Sequence, residues 1–83
     1  SYLYFMETNL TSLELFVIAK VKEKRIERRL TQEKLSLALN KGVGYIGDRE
    51  APSKDAKYNI RILNDIAKIL DCSPKDFFPD LPL

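Results

Sequence analysis

The chain has 83 residues, of which 45% are apolar and 31% are charged, so it can form one small domain but leaves little room for a deep substrate pocket. It contains no histidine and a single cysteine, so we expect no catalytic site, no metal site, no cofactor and no internal disulfide. No apolar run approaches the roughly 20 residues of a membrane span and no secretory signal is visible, so we expect a cytoplasmic protein without a membrane partner.

Positive charge is concentrated in the middle of the chain. Residues 20–61 carry twelve Lys and Arg against six Asp and Glu, whereas residues 1–19 and residues 62–83 each carry a net charge of −2. A basic middle between acidic ends suits a surface that meets a polyanion on one side. An ordinary solvated surface explains the same distribution equally well, so charge alone does not decide between them.

Residues 1–11 are predicted to form an extension before the first helix. Residues 1–5 precede Met6, and we expect Met6 to be the natural start and the five residues before it to be artificial additions. The first helix is predicted over residues 12–28, with Thr11 or Ser12 as its N-cap. Its apolar stripe near helical spacing consists of Leu15, Ile18, Val21 and Ile26.

Residues 30–50 are predicted to form a short helix, a tight turn and a second short helix. Thr31 is a favourable N-cap for a helix over residues 32–39, and Asn40 tolerates the left-handed conformation that ends a helix. The third helix is predicted over residues 43–49. This arrangement is a helix-turn-helix, in which one helix lies in the DNA major groove while the other crosses the backbone.

Two glycines, Gly44 and Gly47, fall inside the predicted third helix. Each costs about 1 kcal/mol of helix stability relative to alanine, and a glycine-bearing surface permits close approach of another backbone or ligand. Ile46 between them is the expected contact of this helix with the core.

Two further helices are predicted after a loop at residues 51–57. The first runs from Tyr58 or Asn59 to Leu70, and the second occupies one or two turns from Pro74 through Phe78. The expected core residues of these helices are Ile60, Ile62, Leu63, Ile66, Ala67, Ile69, Leu70, Phe77 and Phe78. The predicted domain therefore spans residues 12–78, and residues 79–83 form a tail.

With its predicted helices in this order and at these spacings, the chain resembles the lambda-repressor/Cro-type (XRE-like) helix-turn-helix DNA-binding domain over residues 16–78. The resemblance implies an all-α, compact five-helix fold with the helix-turn-helix at helices 2 and 3. The residues that carry it are Arg25, Leu30-Thr31-Gln32-Glu33, Leu35, Leu39, Tyr45-Ile46, Glu50, Ile66-Ala67-Lys68-Ile69-Leu70 and Ser73-Pro74-Lys75-Asp76-Phe77. Residues 44–48, Pro52 and residues 56–59 look like a subgroup of small bacterial regulators.

By position, the resemblance implies a set of DNA-binding residues. Gln32 would contact the phosphate backbone and brace the recognition helix, and Tyr45 would touch a sugar-phosphate or a thymine methyl group. Base edges would face Val43, Gly44, Gly47 and Asp48, with Lys41, Lys54 and Lys57 as phosphate clamps and Arg49 as a further candidate contact.

Several residues depart from the family pattern or have an implied structural role. Arg25 and Glu50 match a pair that often forms an internal salt bridge in this family. Ser36 stands where alanine is usual, and we expect it to be tolerated because it is small. Arg49 replaces a commonly apolar residue, so it is either buried with a partner or turned outward toward DNA.

The predicted recognition helix lacks the usual base-reading side chains. Between Gly42 and Asp48 there is no Arg, Asn or Gln to make bidentate contacts with guanine or adenine. We therefore expect affinity to come mainly from phosphate contacts, with modest base readout and a contribution from DNA shape.

We expect a sequence-specific DNA-binding transcriptional regulator, not an enzyme, with double-stranded DNA as its partner. One unit this small contacts few base pairs, so a homodimer on a palindromic site is expected. The alternative is a protein-interaction module, such as an antitoxin-like partner that retains the fold. The sparse base-reading chemistry and the Phe/Leu/Pro-rich tail favour that alternative.

Overall fold

The computed structural model describes residues 8–83, so the expected natural start at Met6 lies outside the described residues. These residues form four α-helices: α1 (Ser12–Glu27), α2 (Gln32–Ala38), α3 (Tyr45–Arg49) and α4 (Ile60–Leu70). Two 3₁₀ turns, Pro52–Lys54 and Pro74–Phe77, follow α3 and α4. The described residues contain no strand, which confirms the all-α prediction.

The prediction of a fifth helix is wrong, because residues 74–77 form a single 3₁₀ turn. Ser73 and Asp76 form a reciprocal cap at the start of this turn. Phe78, however, adopts an extended backbone, with φ −111° and ψ 150°. It precedes Pro79, and the ring of a proline disfavours the helical conformation of the residue before it. The cap at Ser73 therefore starts a helical turn, but Pro79 prevents that turn from continuing through Phe78.

Side-chain caps fix where three of the helices begin. Thr11 and Glu14 form a capping box at the start of α1, in which each side chain bonds the other residue's backbone N–H at 3.1 and 2.9 Å. Thr31 accepts from the backbone N–H of Lys34 at 3.0 Å, as expected. Asn59 caps α4 by accepting from Ile62 N–H at 2.8 Å. The sequence thus predicted the starts of α1 and α2 correctly and placed the start of α4 one or two residues too early.

The core lies between α1 and α4, with α2, α3 and the second 3₁₀ turn packed around them. Its buried members are Val17, Val21, Leu35, Ile46, Ile62, Leu63, Ile66, Ala67, Leu70 and Phe77. Three predicted core residues are exposed instead: Ile26, Ile60 at 85% and Phe78 at 41%. Ile60 is the first residue of α4 and, with Phe78, borders a surface groove beside α1.

A buried ion pair joins α1 to the end of α3. Arg25 donates from Nε and Nη2 to the two carboxylate oxygens of Glu50, at 2.8 and 2.9 Å. Its Nη1 donates to the carbonyl of Leu30, just before α2, at 2.7 Å. The side chains of Arg25 and Glu50 are only 10% and 2% exposed. The internal salt bridge implied by the family resemblance is therefore present, and it fixes three chain segments relative to one another.

The residues just before α1 bond to the loop that follows α3. Asp55 accepts from the Thr8 hydroxyl at 2.7 Å, and from the backbone N–H and side-chain amide of Asn9 at 2.9 and 3.1 Å. Leu10 is buried. Asp55 itself is in the left-handed conformation at φ 55°, which aspartate tolerates better than most residues. Residues 8–10 are thus attached to the domain.

Removing one member of the buried ion pair should cost more than removing both. Arg25→Met leaves the Glu50 carboxylate buried without its main partner, and we expect a loss of about 3 kcal/mol in the free energy of unfolding. The double variant Arg25→Met/Glu50→Met removes the stranded charge and should be more stable than Arg25→Met alone. Urea unfolding of wild type, Arg25→Met, Glu50→Met and the double variant measures this, and losses that simply add would contradict the account.

The attachment at Asp55 should make part of the stability depend on pH. The Asn9 N–H and the Thr8 hydroxyl hold the pKa of Asp55 below its usual range. Since this pKa is lower in the folded state, the contribution is present at neutral pH and is lost as the pH falls below about 4. Asp55→Asn should therefore show a smaller drop in Tm between about pH 7 and about pH 3.

Asparagine tolerates the left-handed backbone and keeps one oxygen to accept from the Thr8 hydroxyl and the Asn9 N–H, while it loses the charge and the acceptor for the Asn9 side-chain amide. Asp80→Asn, in the exposed tail, is the matched control and should leave the drop in Tm unchanged. An acid-induced drop that is the same in Asp55→Asn and in wild type would show that this carboxylate does not carry the effect.

Candidate nucleic-acid interface

The contact between α2 and α3 depends on the hydroxyl group of Ser36. This buried side chain donates to the carbonyl of Gln32 at 2.8 Å and accepts from the backbone N–H of Ile46 at 3.0 Å. Ile46 is the second residue of α3, so its N–H has no carbonyl partner within the helix. Ser36 therefore caps α3 from the neighbouring helix. The sequence indicated only that a small residue fits here and missed this bond.

Gln32 braces the far end of α3. Its side-chain amide donates to Glu50 Oε1 at 2.8 Å, so the Arg25–Glu50 pair extends to the start of α2. A Cβ atom at Gly47 would lie 3.1 Å from Gln32 Oε1, which is closer than most Cβ contacts. The absence of a side chain at Gly47 thus lets Gln32 lie against α3. Gly44 has no such steric need, because no described atom lies within 4 Å of its Cβ position.

The recognition helix begins two residues later than predicted. Val43 and Gly44 form a turn before α3, in which the N–H of Tyr45 donates to the carbonyl of Gly42 at 3.1 Å. Val43 is β-branched and the next residue is a glycine, so both have low helix propensity. The cap supplied by Ser36 acts on Ile46, inside the helix that begins at Tyr45. Val43 is 60% exposed in this turn. As expected, Asn40 adopts the left-handed conformation after α2, at φ 60°.

Arg49 is half-buried and has partners inside the molecule. Its guanidinium carbon lies 3.6 Å from the ring centroid of Tyr45. Nη1 donates to the carbonyl of Tyr45 at 3.2 Å, and Nε donates to the carbonyl of Lys57 at 3.3 Å. The Lys41 ammonium also lies near the Tyr45 ring, 5.5 Å from its centroid. Two cationic groups therefore lie within cation–π distance of the Tyr45 ring.

Tyr58 lies next to Tyr45. Its ring centroid is 6.5 Å from that of Tyr45, with the two rings tilted by 49°. The Tyr58 hydroxyl is buried and has no hydrogen-bond partner among residues 8–83. Burial raises the pKa of Tyr58, and the nearby Glu50 carboxylate adds to that rise. No sequence pattern connects Tyr58 with α3.

The three predicted phosphate clamps have different surroundings. Lys41 and Lys54 are exposed and form no ion pair within the described part of the chain. Lys57, in contrast, lies 3.0 Å from a carboxylate oxygen of Glu14 in α1. The Thr11 N–H and then Lys57 lower the pKa of Glu14. Lys57 thus already has an anionic partner. Lys41 and Lys54, on either side of α3, have none among the described residues.

Eight of the ten predicted site residues lie in α2, the turn and α3: Gln32, Lys41, Val43, Gly44, Tyr45, Gly47, Asp48 and Arg49. Asp48 is exposed on α3. Lys54 ends the first 3₁₀ turn, and Lys57 lies in the segment leading to α4. Within residues 8–83, no helix is long and apolar enough to cross a bilayer, and no three metal-ligating side chains cluster.

No protein-family model matches the chain. No curated protein matches it significantly. A crystal structure of a mutant of the restriction-modification controller protein C.Esp1396I is similar, with 31% identity and a TM-score of 0.69, covering 81% of this chain and 87% of that one. The controller protein C.AhdI from Aeromonas hydrophila is 22% identical, with a TM-score of 0.66 over 77% of this chain and 94% of that chain.

An enzyme also contains this fold. The structure of hydroxypropylphosphonic acid epoxidase from S. wedmorenis is 17% identical with a TM-score of 0.72, and the match covers 88% of this chain but 40% of the enzyme. At that identity the likeness shows the fold alone. The 31% identity to C.Esp1396I extends over most of both chains, so it shows the family as well as the fold. This chain therefore belongs to the helix-turn-helix family that includes the restriction-modification controller protein C.Esp1396I.

Proposed function

We propose that this protein is a sequence-specific DNA-binding transcriptional regulator that binds its operator as a homodimer. The observation that carries the proposal is the α2–turn–α3 unit, which is braced from inside and flanked by the exposed lysines Lys41 and Lys54. The family supports the same function, since the related proteins C.Esp1396I and C.AhdI are restriction-modification controllers. The lambda-repressor/Cro-type assignment and the small bacterial regulator subgroup are part of this proposal.

In the proposed complex, α3 and the turn before it enter the major groove. Val43 provides apolar contact for a thymine methyl group, and Asp48 accepts from a cytosine amino group. Tyr45 contributes its ring edge and hydroxyl. These side chains read few bases, so the phosphate contacts of Lys41 and Lys54 supply most of the affinity and DNA shape supplies part of the specificity.

Two copies are needed because one unit reads too little sequence. The exposed, non-glycine part of the recognition surface amounts to a few side chains, and each good base contact discriminates by about 1–3 kcal/mol. A two-fold pair doubles this discrimination and places two recognition helices about 34 Å apart, one helical turn of DNA. The expected operator is therefore a pseudo-palindrome.

Selection of bound duplexes from a random pool, followed by binding measurements over a range of salt concentrations, tests the proposal. We expect enriched sequences with two-fold symmetry. We expect Lys54→Gln to weaken binding to all duplexes alike and to reduce the slope of log K against log salt by about 1 for each copy bound. Lys75→Gln is the matched control, because Lys75 lies beside α1 in the second 3₁₀ turn.

A protein-interaction module is the second candidate function. The exposed apolar side chains of Phe78, Leu81 and Leu83 at the carboxyl end favour it. It predicts a different result in the same selection: no sequence is enriched, and no duplex binds even at low salt. That result would refute the regulator proposal.

A further inference from the structure

We propose that Arg49 is a positioning residue, which acts on DNA recognition by fixing Tyr45 and does not read bases itself. This inference rests on the proposed DNA-binding function and specifies how its recognition surface is built. Arg49 is the only arginine in α3, so it is the obvious candidate for a bidentate contact with guanine. Its surroundings point to another role.

The guanidinium group of Arg49 is already engaged within the protein. Two of its three nitrogens donate to backbone carbonyls, Nε to Lys57 at 3.3 Å and Nη1 to Tyr45 at 3.2 Å. With Nε donating inward, the edge formed by Nε and Nη2 cannot make two parallel bonds to a guanine. The guanidinium carbon also lies over the Tyr45 ring, 3.6 Å from its centroid. A bidentate contact with guanine through Nε and Nη2 would require Arg49 to break its bond to Lys57.

Tyr45 is restrained by three neighbours, each from a different part of the chain. Arg49 lies one helical turn after it, and the Lys41 ammonium is 5.5 Å from the ring centroid. The Tyr58 ring is the third neighbour, with its centroid 6.5 Å from that of Tyr45. A side chain that is already ordered loses less rotamer freedom on binding, so Tyr45 can contribute more of its contact energy to the complex.

Arg49 also connects α3 to the segment that precedes α4. Its bond to the Lys57 carbonyl spans the loop that contains Lys54 and Asp55. Loss of this bond would free the end of that loop as well as the Tyr45 ring. Lys54 itself lies in the 3₁₀ turn, three residues before the bonded carbonyl, where its N–H bonds to the Ala51 carbonyl. The loss of the Arg49 bond therefore acts mainly on Tyr45.

Lysine should not replace arginine in this role. An ammonium group keeps the positive charge, but it has neither the plane that lies on the ring nor the fork that reaches two carbonyls at once. Arg49→Lys thus separates the two roles. A phosphate contact survives this change because a point charge is sufficient, whereas the positioning of Tyr45 does not.

The experiment measures binding of the duplex selected with the wild-type protein and of a scrambled duplex of the same composition. Wild type, Arg49→Lys, Tyr45→Ala and the double variant form one cycle, and Arg49→Met replaces Arg49→Lys in a second. Circular dichroism at the assay temperature confirms that each variant is folded. Tyr45→Phe, which keeps the ring, is the conservative control.

We expect Arg49→Lys to weaken binding of the selected duplex about fivefold to tenfold, with little change for the scrambled duplex and no change in salt slope. In the Tyr45→Ala background the same substitution should change binding less than about twofold. Tyr45→Phe should preserve the effect of Arg49→Lys. Arg49→Met should show the same dependence on the Tyr45 ring in specific binding.

Two results would overturn the inference. One is wild-type binding by Arg49→Lys combined with a salt slope lowered by about 1 in Arg49→Met, which would identify a phosphate contact. The other is an equal loss with and without the Tyr45 ring, which would mean that Arg49 acts on DNA independently. Both results presuppose that the wild type binds DNA, so they differ from failure of the proposed function, in which no duplex binds.

Discussion

The Arg25–Glu50 ion pair is the interaction on which the arrangement of α2 and α3, the proposed recognition surface, depends. It is bidentate and almost completely buried, and Glu50 also accepts from Gln32. A buried charge pair adds little to stability compared with apolar residues of similar size, but loss of one partner is costly. Its effect here is geometric. It joins the end of α3 to α1 and to the start of α2. Rotation of α3 on α2 would therefore leave the Glu50 carboxylate buried without its partners.

Within this frame, small residues determine how closely the two helices approach. Ser36 caps α3 from α2, and Gly47 leaves space for Gln32. A helix of five residues has too few internal hydrogen bonds to be stable alone, and one of its residues is a glycine. Its order therefore comes from contacts with the rest of the domain. This explains how a short, weak helix can present a defined surface to a ligand.

Sequence reasoning located the parts of the fold that depend on local chemistry. The caps at Thr11 and Thr31, the left-handed Asn40 and the buried face of α4 follow from residue preferences and periodicity. The predicted last helix is too long, because Pro79 favours an extended backbone at Phe78. Ile60 has the periodicity of a core residue, yet the tertiary packing leaves it at the surface, which periodicity alone does not reveal.

The candidate site was predictable in outline but not in its contacts. Its residues follow from the helix-turn-helix pattern, and the Arg25–Glu50 pair follows from the family resemblance. The hydroxyl bond of Ser36, the stacking of Arg49 on Tyr45 and the pairing of Lys57 with Glu14 join residues whose relative positions are set only by the tertiary fold. No spacing rule identifies such contacts, although they separate cations that are available to a ligand from cations that are already engaged.

Titration of the ¹⁵N-labelled protein with its selected duplex, followed by amide chemical shifts, tests the central claim most directly. The largest changes are expected at Lys41, Val43, Tyr45, Asp48 and Lys54, with smaller ones at the buried ion pair. Changes concentrated instead around Leu13, Ile60 and Phe78, on the groove beside α1, would contradict the assignment of α3 as the DNA-binding element.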